Sequence, residues 1–217
     1  MNRKITVKGT GYVSVKPDLI VLTLTVSSKA FEYEASMKKA TDSSHQLADA
    51  LENVHFTKED LKTTEFTVNT EYKSKKDKDD NYQSIFDGYQ VRQSFRLEFA
   101  LDFNQLAKTL TAITQLAIDP ELSIQFTVKD SAGVSEALLR NATQNAKETA
   151  EILADASGVN LGAIIDIDYN WKRIDLYSQT DYRMRKSTML LSEEVNPYIV
   201  PDDIDVTDTV TFVWAIK

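Results

Sequence analysis

Hydrophobic and polar positions alternate along residues 5–26 with one interruption. Ile5, Val7, Val13 and Val15 share a parity, and beyond Pro17-Asp18 the alternation resumes with Ile20, Leu22 and Leu24 against Leu19 and Val21. A period of two enriched in β-branched residues marks a strand. Proline has no N–H to give to a ladder, so Pro17 marks an edge, a bend or a change of sheet. The pattern predicts one long segment that serves two sheets, with a layer of the fold built on each half.

Further along, Met37, Ala40, Ser44, Leu47, Leu51 and Val54 recur at steps of three and four, which puts them on one helical face. Thr57 and Asp60 then form a short capped turn. Phe66, Val68 and Thr70 restore the period of two, and the polar run 73–81 reads as a mobile hairpin tip. Gly88-Tyr89 opens a strand carrying Val91, Phe95, Leu97, Phe99 and Leu101. Leu106, Leu110, Ile113 and Ala117 make a short helix that Asp119-Pro120 stops. Leu122, Ile124, Phe126 and Val128 alternate as a half-buried strand. From 18 to 130 the order is therefore β-α-β-β-α-β, the split arrangement of ferredoxin-like domains: four antiparallel strands with two helices on one face.

An alanine-rich helix over 134–157 ends at Gly158, which suits a left-handed cap, and its small face lets another backbone come close. Ile165, Ile167, Tyr169 and Trp171 alternate next, and 204–216 closes the chain as another alternating strand. Between 175 and 201 no periodicity survives, so a long loop is expected there. The class is α+β. A ferredoxin-like unit (18–130) is joined to a second, discontinuous α/β unit (1–17 with 131–217), and the two share the N-terminal segment.

Composition narrows function by exclusion. The 217 residues carry a formal charge of -8, which repels phosphate backbones, so no nucleic acid is expected. No cysteine is present, which excludes disulfides, thiolate metal sites and thiol redox chemistry. No apolar run is long enough for a transmembrane helix, and the chain enters a strand pattern without a leader. As given it reads as cytoplasmic, or extracytoplasmic if a leader has been removed.

Candidate chemistry is sparse. Gly9-Thr-Gly11 lacks the third glycine and the following helix of a dinucleotide site, so a bulge or a crossing explains it better. His45 and His55 stand too far apart along a helix to share a metal. The run from Asp77 to Asn81 lacks the glycine and final carboxylate of a calcium loop. No catalytic residue, cofactor or metal site emerges. Tyr177, Tyr182, Arg183, Met184 and Arg185 concentrate the side-chain types favoured at protein interfaces, which makes the 175–201 loop the candidate contact surface.

Several landmarks in order resemble the SIMPL domain family, also known as DUF541. They are Ile5-x-Val7-x-Gly9-x-Gly11 before Pro17-Asp18, Leu61-Lys-Thr63, Gly88-Tyr89, the alanine-rich helix ending at Gly158 with Leu161-Gly162, and Val206-x-x-x-Val210. The resemblance spans nearly the whole chain. It implies the fold, homo-oligomers of ring or barrel form, and a setting that includes periplasmic proteins linked to oxidative-stress defence and an immunogenic outer-membrane-associated antigen. It supplies no catalytic residues, and this chain departs from Gram-negative members in lacking their leader. The expectation is a non-enzymatic protein that self-assembles or binds a protein partner. The alternative is a small-ligand binder or enzyme using carboxylates and tyrosines in a cleft between the two layers.

Overall fold

The computed structural model of the protein describes residues 3–76, 81–170, 174–185 and 199–217; for Met184 and Arg185 it describes the backbone alone. Among these residues eight strands and three helices follow in the order β1 (Lys4–Val15), β2 (Leu19–Ala30), α1 (Tyr33–Glu52), β3 (Lys62–Lys76), β4 (Tyr82–Ala100), α2 (Phe103–Thr114), β5 (Glu121–Thr127), α3 (Ser131–Ala156), β6 (Leu161–Asp168), β7 (Tyr177–Arg185) and β8 (Ile204–Ile216). The fold is α+β with two antiparallel sheets. β1 lies in one sheet and β2 in the other, so the break at Pro17 is a change of sheet. Asp18 fixes that corner: its N–H donates to the Thr127 carbonyl at 3.0 Å, and its carboxylate accepts from the Lys129 N–H at 2.7 Å.

The chain divides into two compact units, Leu19–Phe126 with Thr180–Val200, and Met1–Asp18 with Thr127–Gln179 and Pro201–Lys217. In the first, the sheet order is β3-β4-β2-β5-β7. β4 lies between β2 and β3, which is the split β-α-β arrangement, and β7 extends the sheet beyond β5. Ile20, Leu22 and Leu24 of β2 point the same way as Phe95 and Leu97 of β4 and Ile124 and Phe126 of β5. They meet Leu47 and Leu51 of α1 and Leu106, Leu110 and Ile113 of α2 in one buried cluster. Each such side chain contributes about 1.5–3 kcal/mol by leaving water. Asp102 caps α2, accepting from the N–H groups of Asn104 at 2.8 Å and Gln105 at 3.1 Å.

Two expectations about this unit need correction. The expected 175–201 loop contains strand β7, whose side chains show no apolar alternation because an edge strand needs only its backbone to join a sheet; 186–198 lie outside the described residues. The polar run after Tyr72 is not all hairpin tip either. β3 continues through Lys76 and β4 resumes at Tyr82, with 77–80 outside the described residues.

The second unit is a three-stranded sheet, β1-β8-β6, with α3 lying across β1 and β8. Along β1, Val7, Gly9 and Gly11 pair with Phe212, Val210 and Asp208 of β8 in a register without a shift, so no bulge explains the glycines. They serve a close crossing. A Cβ on Gly9 would overlap the Ala142 carbonyl oxygen and stand 2.6 Å from the Ala146 Cβ; one on Gly11 would overlap the Leu138 carbonyl oxygen. Ala142, Ala146, Ala150 and Ala154, one per turn and all buried, form the matching stripe on α3.

The same helix satisfies the outer edge of β1. Asn145 Oδ1 accepts from the Thr10 N–H at 2.9 Å, and Asn141 Nδ2 donates to the Tyr12 carbonyl at 3.0 Å. Among the described residues the opposite edge, β6, has no such cover. Its register against β8 shifts twice, so Ile164 and Ile167 pair with Trp214 and Phe212 and share the face toward α3. Asp166 and Asp168 pair with Val213 and Thr211 on the other face. The single parity expected for Ile165, Ile167 and Tyr169 is broken by these shifts, and Trp171 lies outside the described residues. Ile164, Ile165 and Ile167 are 52–54% exposed.

Candidate functional site

Pairing between β2 and β4 ends at Ala30 and Tyr89, whereas β3 and β4 stay paired as far as Lys76 and Tyr82. Residues 71–76 and 82–88 therefore form a two-stranded ribbon, an arm, running past the end of the five-stranded sheet. A lone ribbon is marginal in water, so what braces its root matters. Glu71 pairs with Gly88 and Tyr72 with Phe86, which leaves Asp87 as an extra residue in a bulge. Gly88 adopts φ 107°, and a Cβ there would overlap the Ala30 carbonyl oxygen. Only glycine fits both conditions.

Asp87 sits between two ammonium groups, Lys29 Nζ at 2.5 Å and Lys73 Nζ at 2.6 Å. The Lys29 contact foremost, then Lys73, lowers its pKa from 3.8 to about 2. A carboxylate held down this way supports the folded arm above its ordinary pKa and loses that support as it is protonated. We expect the ring resonances of Tyr72 and Phe86 to move toward disordered values as the pH falls from 3.8 towards about 2. The Asp87→Asn variant should lack that step, and an unchanged titration in the variant would exclude the clamp as its cause.

Around the clamp runs a ladder of aromatic rings. Phe86 meets Phe31 at 5.2 Å, Tyr89 at 5.3 Å and Tyr72 at 6.0 Å, all edge to face, and Tyr89 meets Tyr33 at 5.6 Å. Lys76 stands over the Tyr82 ring at 5.4 Å. Edge-to-face pairs are the favoured aromatic arrangement, so the rings hold one another in a fixed ledge. Yet the ledge is open to water: Phe31 is 64% exposed, Tyr33 49%, Tyr72 59% and Tyr82 71%. At about 200 Å² per ring these four present on the order of 500 Å², near the top of what a monomer normally exposes. The sequence reading missed this ledge because Phe31, Tyr72 and Phe86 belong to three segments that only the bulge brings together.

The residues expected to form an interface all fall on β7, and alternation divides them. Tyr182 turns inward and packs against the buried cluster of its unit, while Arg183 faces out and bonds Asp181 at 2.8 Å. Tyr177 is partly exposed at the strand's start. Of Met184 and Arg185 the structure gives the strand backbone.

Among the described residues, concavities of the unit that carries the arm include the following two. A groove of about 700 Å³ between α1 and α2 is floored by Ala50, Ala107 and Ala112 and rimmed by Gln46, Asp49 and Lys108. A shallower one of about 470 Å³ lies on the sheet face bearing Thr23, Thr25, Arg92, Glu121, Ser123 and Arg183. Its charges are matched locally, Arg92 to Glu121 at 3.5 Å and Arg183 to Asp181. The side chains with displaced ionisation line neither. Tyr12 donates to Asp205 at 2.6 Å and Tyr169 to Asp208 at 2.9 Å, which raises both phenols. Ser14 and then Tyr12 lower Asp205. Each of these two tyrosines is thus bonded to a carboxylate. Among the described residues no group of three or more His, Cys, Asp or Glu is placed to hold a metal ion, and no helix is long and apolar enough to cross a membrane.

Residues 5–214 match the SIMPL family model, described as a protein of unknown function (DUF541). The 26 kDa periplasmic immunogenic proteins of Brucella melitensis biotype 1 and Brucella abortus (strain S19) are each 24% identical over 164 residues, 76% of this chain. The match spans 65% of the length of those relatives.

Proposed function

The chain belongs to the SIMPL family, whose biochemical function is unknown, and we propose that it is a non-enzymatic protein acting by self-assembly, with the aromatic arm as its contact. The observation that carries this reading is the braced ledge. Gly88, the Asp87 clamp and the ring ladder hold large apolar side chains in a fixed arrangement in water, which a purely structural ribbon does not require. Aromatic anchors of this kind supply most of the energy at protein interfaces. A ledge of on the order of 500 Å² on each chain, meeting an equal partner surface, reaches the roughly 1,000 Å² that a specific interface needs.

The setting proposed is extracytoplasmic, following the periplasmic relatives, in place of the cytoplasmic one that the sequence alone suggested. Any part in stress defence, the role implied by the family resemblance, then runs through binding, because the chain has no thiol. Light scattering on the eluting protein tests the reading. We expect a defined oligomer for the natural sequence, and at least tenfold weaker association for Phe31→Ser with Tyr72→Ser, both exposed and so tolerated by the fold. A monomer at micromolar concentrations, or an oligomer indifferent to these changes, overturns it.

A further inference from the structure

We propose that the surface receiving the arm is strand β6 of a second copy, paired edge to edge with residues 72–76 of β3; this rests on the assembly reading above. Among the described residues β6 is an open edge with three half-exposed isoleucines, and strand edges of this sort invite another strand. It does not suit itself. Antiparallel pairing of two β6 strands centred on Ile167 sets Asp166 against Asp168 twice, and like charges directly opposite are destabilising. Neither carboxylate has an ion-pair partner among the described residues. The strand that complements β6 must be an edge, with lysines on one face and aromatic surface on the other.

The outer part of β3 answers each requirement. Among the described residues β3 is an edge strand of its own sheet. Lys73 and Lys75 lie opposite Ile85 and Gln83 on one face, whereas Tyr72, Ser74 and Lys76 lie opposite Phe86, Ser84 and Tyr82 on the other. Lys75 has no ion-pair partner among the described residues, and Lys73 shares Asp87 with Lys29. An antiparallel register with Lys75 opposite Asp166 and Lys73 opposite Asp168 places Ser74 against Ile167 and Tyr72 against Tyr169. Opposite charges then meet on one face, and the ring ladder comes over the isoleucines on the other. Arm and receptor are different surfaces, so each copy offers one of each. Such a contact builds a closed ring or an open chain, not a two-fold dimer.

The natural chain has no cysteine, which makes the contact directly testable. Lys75→Cys protein is mixed with Asp166→Cys protein under mild oxidation, since cross-strand neighbours stand within disulfide reach. We expect a cross-link joining one of each, and little within either variant alone. Charge gives a second reading: Asp166→Lys should weaken association at least tenfold, and Lys75→Glu in the same chain should restore it. Cross-linking of Lys75→Cys to itself, of Asp166→Cys to itself, or no cross-link in a sample that light scattering shows to be oligomeric overturns the β6 receptor while leaving assembly standing. A monomeric natural protein overturns both.

Discussion

Gly9→Val is expected to unfold the unit built on β1, α3 and β8. Two methyl groups and a Cβ would have to occupy space already held by the Ala142 carbonyl and the Ala146 side chain. Neither can yield: the first belongs to helix backbone, and the second is already the smallest side chain with a Cβ. Ordinary overpacking costs about 1–3 kcal/mol when side chains can shift, so a clash against backbone should exceed about 4 kcal/mol. The loss would spread. Val7, Phe212, Trp214 and the alanines of α3 form one buried cluster, and lifting the helix exposes all of them. Hydrogen exchange of β1, β8 and α3 amides in the variant checks this, with Gly158→Ala as the comparison. Gly158 has φ 64° and nothing near its missing Cβ, so its replacement should cost only the conformational penalty of about 1–2 kcal/mol. Equal losses in the two variants would refute the close crossing.

Gly88→Val should detach the arm without unfolding the sheet. The substitution asks a β-branched residue to hold φ 107° and to overlap the Ala30 carbonyl oxygen. Backbone strain of this kind costs about 1–3 kcal/mol, before the clash is counted. The chain can escape locally by abandoning the bulge, which moves Asp87 away from Lys29 and Lys73 and takes Phe86 out of contact with Phe31 and Tyr89. Under the assembly reading, association should fall by more than tenfold while the main melting transition moves little. Retained association with a displaced ring ladder, visible in the Phe86 resonances, would place the contact elsewhere.

The parts of this fold legible in the sequence are those where one side chain in two, or one in three or four, must leave water. Ile20, Leu22 and Leu24 announced a strand, and Leu106, Leu110 and Ile113 announced a helix, because burial imposes those periods. Pro17 marked the change of sheet because a missing N–H is a local fact. β7 was illegible for the opposite reason. Tyr182 packs on the core, but the strand joins the sheet through backbone groups that every residue shares. The arm failed to show for a third reason: Phe31, Tyr72 and Phe86 acquire meaning together only through a bulge at Asp87, and no pattern within one segment encodes a contact among three. Gly9 and Gly11 were readable as a pair needing closeness, but what they approach lies more than 125 residues away in α3.

Asn141 and Asn145 give the small sheet a sealed side and an open side, and that asymmetry bears on solubility. A sheet with two open margins can add strands without limit, the growth mode of fibrils. With amide side chains occupying the β1 backbone at Thr10 and Tyr12, strand addition to this sheet is directed to β6. The two asparagines thus restrict the small sheet to one margin, so that a further strand can join on one side and not on both.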